Sequence, residues 1–239
     1  MRPDRTVDYR EHPPAPHLAG LIKTFWTLDA GGDPDEWVEQ QATPDGCVEI
    51  IRRLAGRSRW NGDQPEIFAV GLIEAPEAFA ISGDSRFAAV RLWPWAWSLL
   101  ADIPLADMRG RWLPFDGPIA RQLPDFAAIE RRIGPVPRLA AIGRAIIAAQ
   151  TVDDMRAAGM TSRTLQRWFT RHVGMPPRRY LRMLRFQKAF EGVPATDSLA
   201  DHAAAQGFAD QAHMAREFRE MAGMPATKAR RSAKGPFLT

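Results

Sequence analysis

Arg167-Trp-Phe-Thr-Arg-His-Val-Gly-Met-Pro176 returns 49 residues later as Arg216-Glu-Phe-Arg-Glu-Met-Ala-Gly-Met-Pro225. Arg, Phe, Gly, Met and Pro recur in register, and each copy closes an amphipathic helical pattern that follows a Gly-containing turn. Such a repeat says that one structural unit is present twice. The rest of the chain is read outward from it.

Upstream of the first copy, TVDDMRAAGMTSRTLQRWFTRH (151–172) reads as a short helix, a turn at Gly159 and a second helix opening after Thr161. A Thr at that point offers its hydroxyl to the unpaired N–H groups of the first turn. At ~100° per residue, Leu165, Trp168, Phe169 and His172 share one side of that helix, and Arg163, Gln166, Arg167 and Thr170 the other. The second copy repeats the plan in DSLADHAAAQGFADQAHMAREFREMAGMP (197–225), with a turn at Gly207 and a cap expected at Asp210. Met214, Ala215, Phe218 and Met221 make its inner side. Gln211, Ala212, Arg216 and Arg219 face outward, and the offset puts Arg216 in the place of Arg167. An apolar stripe opposite Arg and Gln suits a helix that packs on its own domain while long donors reach base edges in a major groove ~12 Å wide. The plain alternative is surface arginines on ordinary helical hairpins, and two units with matching faces weigh against it. Arg171 and His213 complete the candidate DNA-contacting set.

Between the units, PPRRYLRMLRFQKAF (176–190) reads as a linking helix, since Pro suits a first helical turn. Its length of ~20 Å at 1.5 Å per residue could hold two reading heads near one duplex turn apart, ~34 Å. Arg178, Arg179, Arg182, Arg185 and Lys188 stud it. Some are in reach of phosphates, but most are expected to be a solvated face.

Charge supports this division. Residues 138–239 hold 17 Lys/Arg against 8 Asp/Glu, a net +9, whereas residues 1–137 hold 15 against 20, a net −5. That polarity fits a nucleic-acid module joined to one that avoids the polyanion. A chain of 239 residues with 45% apolar content accommodates two globular domains. No apolar run reaches the ~18 residues of a membrane span, and the N-terminus lacks the apolar core of a signal peptide. A cytoplasmic location is the expectation.

The runs LQRWF (165–169), GMPP with Tyr180, and GFADQAHMAREFREMAGMP (207–225) resemble the DNA-binding domain of the AraC/XylS family of bacterial transcription regulators, over about residues 137–231. The resemblance implies a domain of about seven helices whose two recognition helices contact adjacent major grooves of promoter DNA. Carried over by position, the base-facing residues are Arg163, Gln166 and Arg167, then Gln211, Ala212 and Arg216. Three departures stand out. Val152 to Gly159 is one residue shorter than Leu199 to Gly207, His202 occupies an expected apolar core position, and the C-terminal Pro225, Ala229, Arg230 pattern lacks an aromatic.

Residues 18 to about 93 read as β-rich. Segments 21–30, 36–42, 46–54, 66–73, 77–83 and 87–93 are short, carry β-branched and aromatic residues, and are punctuated by Gly, Pro, Asn and Asp. Asn61–Gly62 is a hairpin-turn signal. After Pro94 the pattern turns helical, and Gly134-Pro-Val-Pro137 is the expected linker. The order of elements is similar to an N-terminal domain found on a subset of AraC-like regulators, which implies effector sensing or dimerisation. The expected fold class is α+β: a barrel- or sandwich-like domain with flanking helices (1–134), then an all-α domain (135–239) with units at about 151–173 and 197–222, linked by a helix at about 177–190.

Nothing upstream assembles a catalytic centre. A metal site of the cupin kind needs clustered His, but only His12 and His17 precede residue 138. Cys47 has no His nearby to serve as its base and reads as a buried, inert thiol. Of the eight Trp, those upstream fit either an apolar ligand pocket or ordinary packing, packing being favoured. The expected function is a sequence-specific transcription regulator without cofactor or metal. Its partners would be double-stranded promoter DNA, with a small-molecule effector, RNA polymerase and a second copy of the chain as further candidates. The rival readings are an architectural or partner-binding protein with degenerate base readout, and an enzyme-linked repair regulator using Cys47.

Overall fold

The computed structural model describes residues 7–156, 159–195, 198–234 and 237–238; for residue 194 and from residue 230 on, the backbone alone is described. The N-terminal strands are β1 (Asp8–His12), β2 (Ile22–Asp29), β3 (Trp37–Ala42), β4 (Val48–Ala55), β5 (Ser58–Arg59), β6 (Ile67–Val70), β7 (Glu77–Ser82), β8 (Arg86–Leu92) and β9 (Trp112–Pro114). Short 3-10 turns at Pro94–Leu99 and Leu105–Met108 follow β8, where the sequence predicted longer helix. Helices α1 (Pro118–Gln122) and α2 (Phe126–Ile133) then flank the sheets. From Pro137 onward run α3 (Pro137–Ala148), α4 (Val152–Arg156), α5 (Ser162–His172), α6 (Pro177–Gly192), α7 (Leu199–Ala205), α8 (Gln211–Met221) and α9 (Ala226–Ser232). Two terminal strands, β10 (Ala233–Lys234) and β11 (Phe237–Leu238), complete the described chain. The α+β class and the seven-helix C-terminal region agree with expectation.

Two sheets face each other. The larger has the order β1-β2-β8-β4-β6-β9, the smaller β10-β11-β3-β7-β5. Side chains alternate across a strand, and the larger sheet buries both faces. Phe87 and Ala89 of β8 point into the space between the sheets with Trp26, Ile51 and Phe68. Ala88, Val90 and Leu92 point the other way, with Phe25, Val48 and Ile50, onto the helices. Burial on both sides explains why the Phe87–Val90 stretch of β8 is apolar at successive positions rather than alternating.

The second of these cores does not stop at the expected linker. It runs from Leu18 and Phe25 through Trp95 and Trp97 to Met155, Leu165, Phe169, Tyr180 and Leu184. Helix α3 starts with Pro137 at its first turn and approaches the β2 lead-in backbone to backbone: a Cβ on Gly143 would lie 2.1 Å from the Gly20 carbonyl oxygen. Only glycine permits that approach, and Trp95 Nε1 closes it with a 2.6 Å hydrogen bond to the same carbonyl. The second repeat unit has a core of its own, built on Phe186, Phe190, Phe208, Met214 and Phe218.

Candidate nucleic-acid interface

Both repeat units fold as helix, glycine turn, helix. Gly159 and Gly207 make the turns at φ +82° and +74°, and Gly174 and Gly223 end the second helices at +76° and +66°. All four sit in the left-handed region that glycine enters without steric cost. Thr161 caps α5 by accepting from the Thr164 N–H at 3.2 Å, and Asp210 caps α8 by accepting from the His213 N–H at 2.6 Å. The caps are 49 residues apart but the turn glycines 48, so the first unit is shorter in its turn as well as in its opening helix. Helix α4 opens on a reciprocal cap. Thr151 Oγ1 accepts from the Asp154 N–H at 3.1 Å, while the Asp154 carboxylate accepts from the Gln150 and Thr151 N–H groups. Those backbone donors hold the Asp154 carboxyl below its ordinary range. Ala157 and Ala158, where the opening helix should end, lie outside the described residues.

The inner faces are buried as the periodicity required. Leu165 and Phe169 of α5 are fully enclosed and Trp168 is half-buried; on α8, Met214, Phe218 and Met221 are enclosed. Outside, Arg163, Gln166, Arg167, Thr170 and Arg171 on α5 and Gln211, Ala212, Arg216 and Arg219 on α8 are exposed. The Thr170 hydroxyl donates to the Gln166 carbonyl at 3.0 Å. Among the described residues, the guanidinium groups of Arg163, Arg167, Arg171, Arg216 and Arg219 form no ion pair within the chain. His213 differs from the rest of the set. It is half-buried, accepts from the Ala209 N–H at 3.3 Å and stands edge-on to Phe208, with Nε2 3.6 Å from Glu217. Its polar atoms serve the start of α8.

The linking helix is less of a solvated face than its sequence suggested. Arg182 is fixed by Glu217, whose two carboxylate oxygens share its Nε–H at 2.8 Å each, and by Glu220. Glu217 is itself buried on the inner side of α8, a position the periodicity reading did not single out. Arg185 lies over the Phe208 ring at 5.0 Å, Arg179 pairs with Glu74, and Lys188 donates to the Ile147 carbonyl at 3.0 Å. Of the five basic residues, Arg178 alone is exposed without such a contact among the described residues. The unexpected His202 is explained by the same helix: it is buried, and its Nε2 meets the Ala189 carbonyl of α6 at 2.9 Å. Ala229 of the C-terminal pattern is enclosed in α9, whereas the Arg230 side chain lies outside the described residues.

Contacts with the N-terminal half differ between the units. Helix α5 packs Trp168 against Trp95 at 5.9 Å, and a Cβ on Gly174 would lie 2.8 Å from the Ala106 nitrogen. The second unit touches the smaller sheet through Gln41, whose Nε2 donates to the Ala222 carbonyl at 3.2 Å. Trp93, Trp95 and Trp97 are therefore packing residues, as favoured. Cys47 is buried, its thiol pushed up by burial, and so is held in the protonated, unreactive form.

Residues 155–232 match the family model described as a helix-turn-helix domain, and residues 10–114 match one described as a domain of unknown function (DUF6597). No curated protein matches the chain. Similar solved structures include apo ToxT from Vibrio cholerae strain SCE256, at 10% identity and a TM-score of 0.45 over 86% of this chain and 96% of that one. ToxT of strain O395 bound to (E)-4-(8-methylnaphthalen-1-yl)but-3-enoic acid gives 9% and 0.44, over 86% and 98%. Wild-type ToxT of strain SCE256 bound to an unsaturated fatty acid gives 10% and 0.44, over 96% and 97%. Residues 155–232 thus form a helix-turn-helix domain, which follows a β-rich N-terminal domain. No helix among the described residues is long and apolar enough to cross a membrane.

Proposed function

We propose that this chain is a sequence-specific transcription regulator whose helices α5 and α8 read successive major grooves of promoter DNA. The observation that carries the reading is the pair of outer faces. Each is capped at its N-terminus, fixed from behind by a buried aromatic core, and furnished with arginines that have no ion-pair partner among the described residues. On α5 the readers are Arg163, Gln166 and Arg167, with Thr170 and Arg171 toward the backbone. On α8 they are Gln211, Ala212 and Arg216, with Arg219 beside them. His213 supports the helix start and contributes to binding through it.

Functionally the chain divides near residue 135 into a sensing or dimerising part and a DNA-reading part. Mechanically, α3, α4 and α5 share a core with the larger sheet. A change in the β-rich half therefore acts first on the upstream reading head, and this coupling is what makes effector control the favoured role of residues 1–134. RNA polymerase and a second copy of the chain are further partners compatible with this role.

Selection of bound sequences from a random duplex pool tests the proposal. A regulator enriches a motif with two blocks one helical turn apart; a protein that binds DNA architecturally enriches none.

A further inference from the structure

The two repeat units meet the N-terminal half at equivalent points. Gly174 and Gly223 each follow the last turn of a reading helix, in the same Gly-Met-Pro sequence. Gly174 seats on Ala106, in the 3-10 turn at Leu105–Met108. Gly223 seats on the smaller sheet, where a Cβ would lie 3.2 Å from Gln41 Nε2 and 3.4 Å from Pro76, the residue before β7. Helix α5 shares a core with the larger sheet, whereas α8 keeps a core of its own. The second seat is therefore made past the end of α8, at the rim of its unit.

Gln41 makes that seat specific. Its side chain donates at 3.2 Å to the carbonyl of Ala222, the residue that ends α8. The last carbonyls of a helix have no partner within it, so a side chain on β3 closes a helix of the other half of the chain. The backbone at Gln41 is paired on both sides, opposite Ala78 of β7 and Leu238 of β11. Strand β10 continues directly from α9, and β11 turns back along β3, with Phe237 opposite Ala42 and Leu238 opposite Gln41. Without β10 and β11, β3 would be the edge of the smaller sheet, and a bare edge is a row of unpaired backbone groups. Two contacts thus converge on one residue: the α8 end on its side chain and the C-terminal strand on its backbone. Neither covers the reading face, because Gln211, Ala212, Arg216 and Arg219 stay exposed. A contact built to inhibit would cover them.

We infer that Gln41 and strand β11 form a latch that pre-positions the second reading head on the smaller sheet, with Gln41 as a positioning residue for the block of bases under α8. The inference rests on the two-headed reading proposed above. A head joined to its neighbour through α6 alone engages its block at an effective concentration set by the freedom of that joint. A latched head has less of that freedom to lose, so more of its contact energy appears as affinity. The gain falls on the second block, since α5 is held by a separate core.

The test compares the native chain, Gln41→Met, which keeps the side-chain length and removes the donor, and a chain lacking residues 233–239. Each is bound to the two-block duplex selected by the native chain and to the same duplex with the α8 block scrambled. The ratio of the two affinities measures what the second head adds. Gln41→Met should lower that ratio about two- to tenfold, the worth of one hydrogen bond, and the shortened chain should lower it at least as much. Affinity for the scrambled duplex should stay at the native level in both. Without DNA, amide exchange at the Gln41–Ala42 end of β3 should quicken in the shortened chain while β2 and β8 keep their protection. An unchanged ratio in both variants overturns the inference, as does a raised ratio, which would make the latch inhibitory. Equal losses on both duplexes also overturn it, by assigning these residues to general stability. A native chain that selects no two-block duplex removes the reading on which the latch depends; an intact motif with an unchanged ratio removes the latch alone.

Discussion

The Tyr180 hydroxyl on α6 donates a 2.9 Å hydrogen bond to the Gly46 carbonyl, 134 residues away in the turn before β4. Tyr180 is fully buried, with its ring among Trp95 and Phe169, so one side chain joins the turn, the Trp95 segment and the upstream reading head. Gly46 adopts φ +73°, and a Cβ there would come within 3.1 Å of Leu184 on the same helix.

Tyr180→Phe should therefore cost about 1–3 kcal/mol, because it leaves the Gly46 carbonyl buried without its donor. Urea unfolding followed by tryptophan emission measures it. Every Trp lies between residues 26 and 168, so the signal reports the core that spans the β-sheet and α5. A midpoint equal to that of the native chain would show that water replaces the hydroxyl.

Glu217→Ala should cost about 1–3 kcal/mol, since it strips a buried carboxylate from the Nε of Arg182, whose Nη groups keep Glu220. The loss should fall on the second unit, whose core holds no Trp. Amide hydrogen exchange in α8 should accelerate while tryptophan emission keeps its midpoint. Loss of protection spread evenly over the sheets would contradict the separation of the two cores.

His172 gives the pH dependence a sign. Burial, and secondarily the charge of Arg171, pushes its imidazole below the ordinary value of 6.5. Its ring packs on Trp168 at 4.8 Å. Between the lowered folded-state value and 6.5 the unfolded chain binds more protons, so stability is full above 6.5 and falls as pH drops through that window. The urea midpoint should decline from pH 7.5 to 5.5 in the native chain, and decline less in His172→Phe. Equal slopes would remove His172 from the account.

The phosphate contribution should be modest for so basic a segment. Arg179, Arg182, Arg185 and Lys188 are occupied within the chain, which leaves the exposed arginines of α5 and α8, Arg178 on the linking helix, and Arg138, Arg144 and Lys228 away from the reading helices. About five phosphate contacts are expected, giving a slope of roughly −4 to −5 in log affinity against log salt. Arg178→Ala should lower that slope by about 1 and weaken all sequences alike. A slope near zero would exclude the basic half as the binding surface.

The parts of this arrangement legible from sequence are those fixed by local chemistry. Thr161 and Asp210 were recognisable as caps because a short oxygen-bearing side chain preceded each amphipathic run, and the strands β2, β3, β4, β7 and β8 followed their apolar segments. Long-range pairing left no such trace. Strand β1 has only one half-buried residue, Tyr9, and lies in a charged lead, so its register with β2 was invisible. Arg91 sits in an apolar run where nothing in the spacing announces the carboxylates of Asp45 and Glu49 beside it, and Glu217 reads as one more surface charge until Arg182 is brought beside it. The helix-breaking Gly134–Pro137 stretch does break the helix, but Gly20 and Gly143 meeting across it could be known only from the fold.

The central claim is that α5 and α8 each read their own block of bases. It is tested most directly by repeating the selection from random duplex with three proteins: the native chain, Arg163→Ala/Arg167→Ala, and Arg216→Ala. The native chain should enrich two blocks about one turn apart. The first variant should erase preference in one block and Arg216→Ala should relax one or two positions in the other, each with a loss of about 1–3 kcal/mol per contact removed. With three donors against two and an alanine, the α5 block should be the more sharply defined. An unchanged motif from the α5 variant, alongside complete loss from Arg216→Ala, would make the upstream unit a scaffold and contradict the two-headed reading.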